Sequence, residues 1–262
     1  MKNKSSSLYL ASIFLVASML ACNLGVPAPR PDTDSQPTQD ASSTEAPQAA
    51  ATSNACDNPY MPIVVGATWN YTLTGSTPDT YVHSILSVEA DGFTEQDVFG
   101  TGVTRQGNWK CENGNLIALN PESSTSASVE TEGVSADFQT TSLEGITMPA
   151  SINPGDNWSQ SMKLEGTQTI NGESIPASNE FTTACTAVET ESVTVPAGTF
   201  DAMHFDCQTT MLITITFNGS PIETNLDLAS SNWYAPKVGL IKTITIGSGL
   251  ETTVELTSYS IP

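Results

Sequence analysis

Positive charge is scarce in this sequence. Eight Lys and Arg residues stand against 28 Asp and Glu residues, which gives a formal net charge of −20. A protein that binds nucleic acid needs clustered cations to neutralise phosphates, so this composition excludes that function. The same deficit disfavours electrostatic docking on anionic lipids. Charged residues make up only 14% of the chain, against roughly 25% in an ordinary soluble domain, so the polar surface must consist mostly of Ser, Thr, Asn and Gln.

Sequence motifs for catalysis are also missing. The chain has no G-x-S-x-G nucleophile elbow, no H-E-x-x-H zinc motif, no P-loop and no dinucleotide-binding fingerprint. Its two histidines, His83 and His204, each fall in a predicted strand without a flanking catalytic motif, and we interpret both as structural. We therefore expect no enzymatic activity, no metal and no cofactor.

Carboxylates are the abundant reactive groups. Asp91, Glu95 and Asp97 form the tightest small cluster, and Glu189 with Glu191 forms a second. A paired-carboxylate hydrolase leaves no local motif, and calcium takes scattered oxygen ligands, so both remain alternatives. We interpret these acids as solvated loop and strand positions.

The apolar run near the N-terminus is too short to span a bilayer. Leu8–Ala21 has 14 residues, whereas a spanning helix needs about 20. Lys2 and Lys4 precede the run, and a small residue stands directly before Cys22. This ending resembles the bacterial lipobox, in which the Cys thiol receives a diacylglycerol and becomes the new N-terminus. The resemblance implies a signal peptide over residues 1–21 and a lipid anchor on Cys22; ordinary secretory cleavage nearby is the alternative.

The segment after Cys22 has no aromatic residue and no core-forming pattern. Pro, Ser, Thr, Ala, Gln and Asp dominate it, so it cannot bury enough apolar surface to offset its ordering entropy. We expect residues 22–55 to form a disordered tether that holds a single β domain, residues 56–262, on the order of 30 Å from the anchor. The predicted location is the extracytoplasmic side of a bacterial cell envelope.

Helix patterns are nearly absent from residues 56–262, and alternating strand patterns recur. The clearest are Thr68–Thr74, Ser84–Val88, Phe93–Phe99, Trp158–Leu164, Met211–Phe217, Ile241–Ile246 and Thr252–Tyr259. Turn residues between them predict an all-β, antiparallel, strongly curved sheet of about ten to twelve strands, forming a half-barrel, a barrel or a sandwich. The weakly patterned stretch Glu122–Gly133 is predicted to be a long loop.

A G-x-x-W pattern occurs twice, at Gly66–Trp69 and Gly155–Trp158, and each Trp begins an alternating strand. Two related halves of one barrel would produce this repeat. Chance similarity between Thr-rich strands is the alternative.

With Cys22 assigned to lipid, four cysteines remain, and they allow three disulfide pairings. The hairpin predicted around Pro196 and Ala197 places Cys185 and Cys207 within one residue of directly opposite positions, so this pair can meet at disulfide distance. That leaves Cys56 to pair with Cys111. Zinc is the weaker alternative, because no C-x₂-C spacing occurs.

The most distinctive segment is W-Y-A-P-K-V-G-L-I-K at residues 233–242. Exposed aromatics beside cations can form a stacking platform for sugars or an aromatic peptide, which makes Trp233 and Tyr234 candidate ligand-contacting residues. The structural alternative is that Trp233 caps the core.

This segment, V-P-A-G-T-F at residues 195–200 and the G-x-x-W pattern at Gly66–Trp69 together resemble a family of uncharacterised bacterial envelope lipoproteins with a β-rich domain. Lys237 stands where that family more usually has Gly. The resemblance implies a curved β-fold in the cell envelope and supplies no catalytic residues.

Three functional hypotheses follow. The leading one is a lipid-anchored binding or structural module of the envelope, with a small molecule, a glycan or a protein as its ligand. The second is a carrier of an apolar or lipid ligand, which requires a cavity of several hundred Å³ lined by aliphatic side chains. The third is a paired-carboxylate hydrolase, which requires two acids from distant strands to converge in a cleft, one of them with a raised pKa.

Overall fold

The computed structural model describes residues 55–76, 78–119, 128–131, 134–170, 172–217, 219–247 and 249–262. The predicted signal peptide, the Cys22 anchor and the tether up to residue 54 lie outside the described residues.

The described residues contain thirteen strands in one antiparallel sheet. They are β1 Thr68–Gly75, β2 Asp79–Val88, β3 Gly92–Phe99, β4 Thr104–Glu112, β5 Asn115–Ala118, β6 Ser128–Thr131, β7 Val134–Gly145, β8 Asn157–Ile170, β9 Glu173–Val195, β10 Gly198–Phe217, β11 Ser220–Ala235, β12 Gly239–Gly247 and β13 Leu250–Ser260. The prediction of an all-β, antiparallel fold is therefore confirmed, with one strand more than the expected upper number.

The sheet is nearly closed into a barrel. Its strand order is β5-β4-β3-β2-β1-β13-β12-β11-β10-β9-β8-β7-β6, so β1 pairs with the last strand and the two edges are β5 and β6. The edge strand β5 also bonds to the segment that precedes β8, because Leu116 N donates to Met148 O at 2.8 Å and Met148 N donates to Leu116 O at 3.0 Å. These bonds satisfy edge groups that an open sheet would leave unpaired.

Two long hairpins dominate the second part of the sheet. β9 has 23 residues and β10 has 20, and they are joined at the predicted Pro196–Gly198 turn, where Val195 pairs with Gly198. Both strands are much longer than the separate short strands that the alternating patterns indicated. Continuous pairing on both sides, to β8 and to β11, supports this length.

One prediction about the loops is wrong. Ser128–Thr131 lies within the stretch predicted as a long loop, yet it forms β6 and pairs with the start of β7. Val129 and Thr131 favour a strand, but the segment is only four residues long, and its pairing with β7 decides its conformation.

Both G-x-x-W patterns lead a Trp into the core. Trp69 and Trp158 are 3% and 8% exposed. Their indole N–H groups donate to backbone carbonyls, Trp69 to Val238 O at 2.6 Å and Trp158 to Thr147 O at 2.9 Å. The two strands belong to one continuous sheet in which β1 pairs with β2 and β13, whereas β8 pairs with β7 and β9.

Both disulfides are present. Cys185 and Cys207 are directly paired across β9 and β10, with Cα atoms 4.1 Å apart. Cys56 bonds to Cys111 on β4, with Cα atoms 4.9 Å apart, and ties the chain before β1 to the barrel. All four residues are buried in the main core.

Candidate functional site

Three ionisable side chains meet inside the barrel. His83 on β2 lies opposite Asp97 on β3, and its Nδ1 is 2.8 Å from Asp97 Oδ1. Its Nε2 is 3.6 Å from Glu95 Oε2. Glu95 and Asp97 are only 1% and 2% exposed. We refer to these three residues as the inner cluster.

Burial and mutual charge shift the pKa values in the inner cluster. Burial raises the pKa of Glu95 to about 7, although His83 and Trp109 oppose the shift. Burial also lowers the pKa of His83, but the Glu95 and Asp97 carboxylates raise it by more, so its net shift is upward. Both shifts favour a protonated inner cluster at mildly acidic pH.

Glu95 and Trp109 each leave one buried polar atom without a hydrogen bond. Trp109 Nε1 is near enough to lower the pKa of Glu95, but it does not reach hydrogen-bond geometry with the carboxylate. Glu95 Oε2 likewise accepts no hydrogen bond from the described residues. An acceptor and a donor therefore remain unused side by side, although buried polar groups are normally paired.

An aromatic ladder adjoins the inner cluster. Tyr71 stacks on Tyr81 with ring centroids 4.8 Å apart, and Tyr81 stacks on Phe99 at 5.1 Å. The guanidinium carbon of Arg105 lies 4.2 Å from the centre of the Phe99 ring. Because Arg105 on β4 is paired with Asp97 on β3, its side chain projects from the inner face of the sheet.

The long strands continue the inner face beyond the barrel core. Along β10, side chains at every second position share a face, so Met211 and Ile213 lie on the same side as the buried Cys207. Met211 pairs with Phe181, which pairs with Met162. We call this surface the apolar trough; its residues are Leu143, Met162, Leu164, Phe181, Met211, Ile213 and Leu226.

The apolar trough is separate from the main core cluster. Met162 and Leu164 are 5% and 2% exposed, whereas Phe181, Met211 and Ile213 are half-buried. None of these five belongs to the main core cluster. On the outer face of β10 the alternate residues are polar at Gln208, Thr210, Thr214 and Thr216, with Leu212 as the exception, so the two faces of the strand differ in polarity.

A second histidine cluster lies on the outer face. His204 stacks on Trp233 with ring centroids 4.6 Å apart and planes 15° from parallel. Its Nδ1 is 3.4 Å from Glu191 Oε1 and its Nε2 is 3.1 Å from Asp206 Oδ1. Trp233 Nε1 donates to the same Glu191 oxygen at 2.7 Å. Glu191 and Asp206 are 41% and 52% exposed, so solvent screens these ion pairs.

The structure separates the two aromatics that the sequence paired as one platform. Trp233 lies on the outer face against His204, whereas Tyr234 faces inward and stacks on Phe205 with ring centroids 5.0 Å apart. Burial, reinforced by the Glu95 charge, raises the pKa of Tyr234 far above its ordinary value. Neighbouring residues on a strand point to opposite faces, so the two rings cannot stack on the same ligand.

The interpretation of Glu95 and Asp97 as solvated is wrong, since both are buried in the barrel. They meet one requirement of the hydrolase hypothesis, a raised carboxyl pKa, but they lie two residues apart on β3 instead of on distant strands. Sequence reasoning also missed Arg105. Its signal was available, because Arg105 is the only arginine among residues 56–262.

The barrel interior is filled by side chains such as Trp69, Phe205 and Leu256, which are 0–4% exposed. Two clefts lie elsewhere, and both are open to solvent. One of about 460 Å³ surrounds Ala184 on the outer face, and one of about 290 Å³ lies near Pro176 and Thr216. Neither is the enclosed, aliphatic cavity that the carrier hypothesis requires.

Among the described residues, no group of three or more His, Cys, Asp or Glu side chains could hold a metal ion. No helix in the described part of the chain is long and apolar enough to cross a membrane.

Two crystal structures share this fold. One is a protein from Bacteroides fragilis NCTC 9343, described as exported and as having a YmcC-like fold. It is 15% identical, with a TM-score of 0.51, and the match covers 78% of this chain and 100% of that chain. The other is described as a lipoprotein, from Parabacteroides distasonis ATCC 8503. It is 16% identical, with a TM-score of 0.50, and the match covers 78% of this chain and 99% of that chain.

At such low identity these likenesses concern the fold alone. No curated protein matches the chain. A family model described as DUF3108-like matches residues 94–246, from β3 through β12, which is more than half of the sequence. The chain therefore belongs to the DUF3108-like family, whose domain is uncharacterised.

Proposed function

We propose that this protein is a lipid-anchored, extracytoplasmic binding module that takes an apolar ligand on the open inner face of its long strands. The observation that carries the proposal is the apolar trough. Met211, Ile213 and Phe181 project from the concave side of the sheet, yet they remain half-buried and outside the main core. A partly exposed apolar surface of this kind is typical of a binding site.

The trough replaces the enclosed cavity of the carrier hypothesis. A ligand would lie along the sheet and not inside the barrel, where the core residues fill the space. From Thr209 to Ile215 the inner face of β10 extends over seven residues, which span about 20 Å at a rise of roughly 3.3 Å per residue. That length suits an extended apolar chain.

The location in this proposal rests on the sequence near the N-terminus. The lipobox-like ending at Cys22 and the aromatic-free segment after it support a membrane anchor and a tether. Two proteins of similar fold are described as exported and as a lipoprotein, which agrees with the same compartment.

The proposal includes no catalytic step. Glu95 and Asp97 resemble a catalytic pair in pKa, but they are 1% and 2% exposed and both contact His83. A substrate cleft over them would require displacement of the packed aromatic side chains around the inner cluster. We assign them a structural role that also depends on pH.

Binding to the trough can be tested with the uncharged fluorescent probe N-phenyl-1-naphthylamine. The mature chain carrying Cys22→Ser, so that no lipid is attached, should enhance the fluorescence of the probe in a saturable manner. Ile213→Asn, on the trough, should weaken binding at least tenfold. Thr214→Asn, the adjacent residue on the outer face, is the matched control and should leave binding unchanged. Absence of saturable binding to the parent protein would refute the proposed function.

The anchor can be tested separately by cell fractionation. Wild-type protein should sediment with membranes, and mass spectrometry should find a diacylglycerol on Cys22. Cys22→Ser should release the protein from the membrane fraction. Undiminished membrane retention of the Cys22→Ser protein would refute lipidation and would leave the binding test unaffected.

A further inference from the structure

We propose that the ligand of the apolar trough is an anionic amphiphile, whose carboxylate or phosphate head group is held by the Arg105 guanidinium while its apolar chain lies in the trough. This inference rests on the proposed function and deepens it, because it names the chemical class of the ligand. The site has two parts. The head group would lie at the end of β2, β3 and β4 that carries Arg105, and the apolar chain would lie on the inner face of β8–β11.

Arg105 is a cation without an ion-pair partner among the described residues of a strongly acidic protein. Among residues 56–262, only Arg105 and four lysines carry a permanent positive charge. Three of the lysines, Lys110, Lys163 and Lys242, lie within ion-pair distance of a glutamate. Within the described residues Arg105 has no ion pair and no hydrogen bond, and its guanidinium lies over the Phe99 ring.

The acid nearest to Arg105 in the ladder is already engaged. Asp97 pairs with Arg105 in the β3–β4 register, but its carboxylate lies 2.8 Å from His83 Nδ1. The guanidinium carbon lies over the Phe99 ring. The N–H groups of a guanidinium point outward in its plane, where they can donate to an anion. A planar, oxygen-rich anion is the ligand that matches these donors.

The strand register places Arg105 at the end of the barrel where the trough begins. On β11 the trough lies toward the lower residue numbers. Because β11, β12, β13 and β1 are paired antiparallel in turn, the same direction on β1 runs toward higher residue numbers, from Tyr71 to Gly75. The same direction leads from His83 to Tyr81 on β2 and from Asp97 to Phe99 on β3. Arg105 and Phe99 therefore lie near the ends of β4 and β3 that face the trough, on the same inner face.

The two parts of the site differ in polarity in the way that an amphiphile requires. Around Arg105 the inner face carries tyrosines and the inner cluster. The trough carries Leu, Ile, Met and Phe, with the uncharged Asn179, Thr183 and Thr209 between them, and no charged residue. An uncharged apolar chain would leave the Arg105 donors unused. A small inorganic anion would leave the trough uncovered.

The test compares ligands that share a chain or share a head group. Dodecanoate, dodecyl phosphate, dodecanol and inorganic phosphate compete with N-phenyl-1-naphthylamine for the unlipidated mature chain, each amphiphile below its micelle-forming concentration. Dodecanoate and dodecyl phosphate should displace the probe at concentrations at least tenfold lower than dodecanol. Whichever of the two binds more tightly identifies the preferred head group, and isothermal titration of inorganic phosphate alone should detect no binding.

Variants at Arg105 show whether this residue causes the preference for charged amphiphiles. Arg105→Gln should abolish the preference for the charged amphiphiles while dodecanol binding is unchanged, and Arg105→Lys should retain part of it. Circular dichroism and urea unfolding check that the variants fold. Equal affinity of the parent protein for dodecanol and dodecanoate overturns the inference without reference to any variant, as does a preference that survives in Arg105→Gln. If the parent protein binds the probe but shows no preference for charged amphiphiles, the proposed function stands and the ligand class is refuted. If the parent protein does not bind the probe, both the proposed function and the ligand class are refuted.

Discussion

His83 Nδ1 lies 2.8 Å from Asp97 Oδ1 across the β2–β3 ladder, and this contact organises the charge inside the barrel. It engages Oδ1 of the carboxylate that stands opposite Arg105, and among the described residues the guanidinium forms no ion pair with that carboxylate. It also holds the imidazole with its other nitrogen toward Glu95, 3.6 Å away. One buried contact thus connects a pH-sensitive pair to the candidate head-group site.

Stability should fall as the pH rises from about 5 to about 8. The folded state holds a proton on Glu95 up to a pKa of about 7, whereas the unfolded state releases it near the ordinary value, so folding is favoured at the acidic end of this window. The raised pKa of His83 acts in the same direction, because its stabilisation is complete below the ordinary pKa and is lost as the pH rises through the folded value. Urea unfolding midpoints measured across this range test the trend.

Glu95→Gln should flatten that pH dependence, because the amide does not titrate. The matched control is Glu223→Gln on the exposed part of β11, which should keep the slope of the parent protein. An unchanged slope in Glu95→Gln would show that the pH dependence has another origin.

The two indole hydrogen bonds should differ in their contribution to stability. Trp69→Phe removes a buried ring edge and the bond to Val238 O, and should lower the free energy of unfolding by about 2–3 kcal/mol. Trp233→Phe keeps the stack on His204 and loses only the partly exposed bond to Glu191, which should cost about 1 kcal/mol or less. Chemical denaturation of both variants measures the difference, and equal losses would contradict it.

Asn58 should be important for closing the barrel. Its side chain is buried and donates to Gly114 O at 2.9 Å and to Pro149 O at 3.0 Å, so it joins the turn after β4 to the segment before β8. Asn58→Ala should cost about 3 kcal/mol, because one buried and one part-buried hydrogen bond to a carbonyl are lost. Asn70→Ala, which removes an exposed bond to Ser258, should cost less than about 0.5 kcal/mol. Thermal unfolding ranks the two, and the reverse order would be inconsistent with a role in closure.

Removing either disulfide should destabilise the domain, by an amount that increases with the logarithm of the number of residues in the loop that the disulfide closes. The Cys56–Cys111 bridge spans 55 residues and the Cys185–Cys207 bridge spans 22. The chain-entropy model predicts losses of about 4 and about 3 kcal/mol for the paired alanine variants. Urea denaturation of both double variants provides the comparison. A larger loss for Cys185→Ala/Cys207→Ala would mean that packing around this cross-strand pair outweighs chain entropy.

Local patterns predicted those parts of the fold that depend on neighbours in sequence. The alternation in Thr68–Thr74 and the turn at Pro196–Gly198 place β1 and the β9–β10 hairpin close to where they lie, and the hairpin arithmetic pairs Cys185 with Cys207. The stretch around Ser128–Thr131 was predicted wrongly, because its strand forms only through pairing with β7.

The sequence did not show which of the site residues lie on the inner face of the sheet. Period-two alternation shows that Trp233 and Tyr234 point to opposite faces, but it does not say which face is inside. Nor does it show whether Glu95 and Asp97, which share a face, meet solvent or the core. That depends on how the sheet curves, and the curvature arises from pairing between strands that are distant in the sequence, such as β1 with β13.

The sequence alone determined that the chain is acidic, β-rich and able to form disulfides, because charge, alternation and cysteine spacing are properties of the chain itself. Only the tertiary structure decided that a histidine and two carboxylates lie inside the barrel and that the long strands extend an apolar face beyond the core. It also decided that Arg105 meets no ion-pair partner in the part of the chain that the structure describes. These features depend on which side of a curved sheet becomes the inside, and closure of the sheet makes that choice for all thirteen strands together.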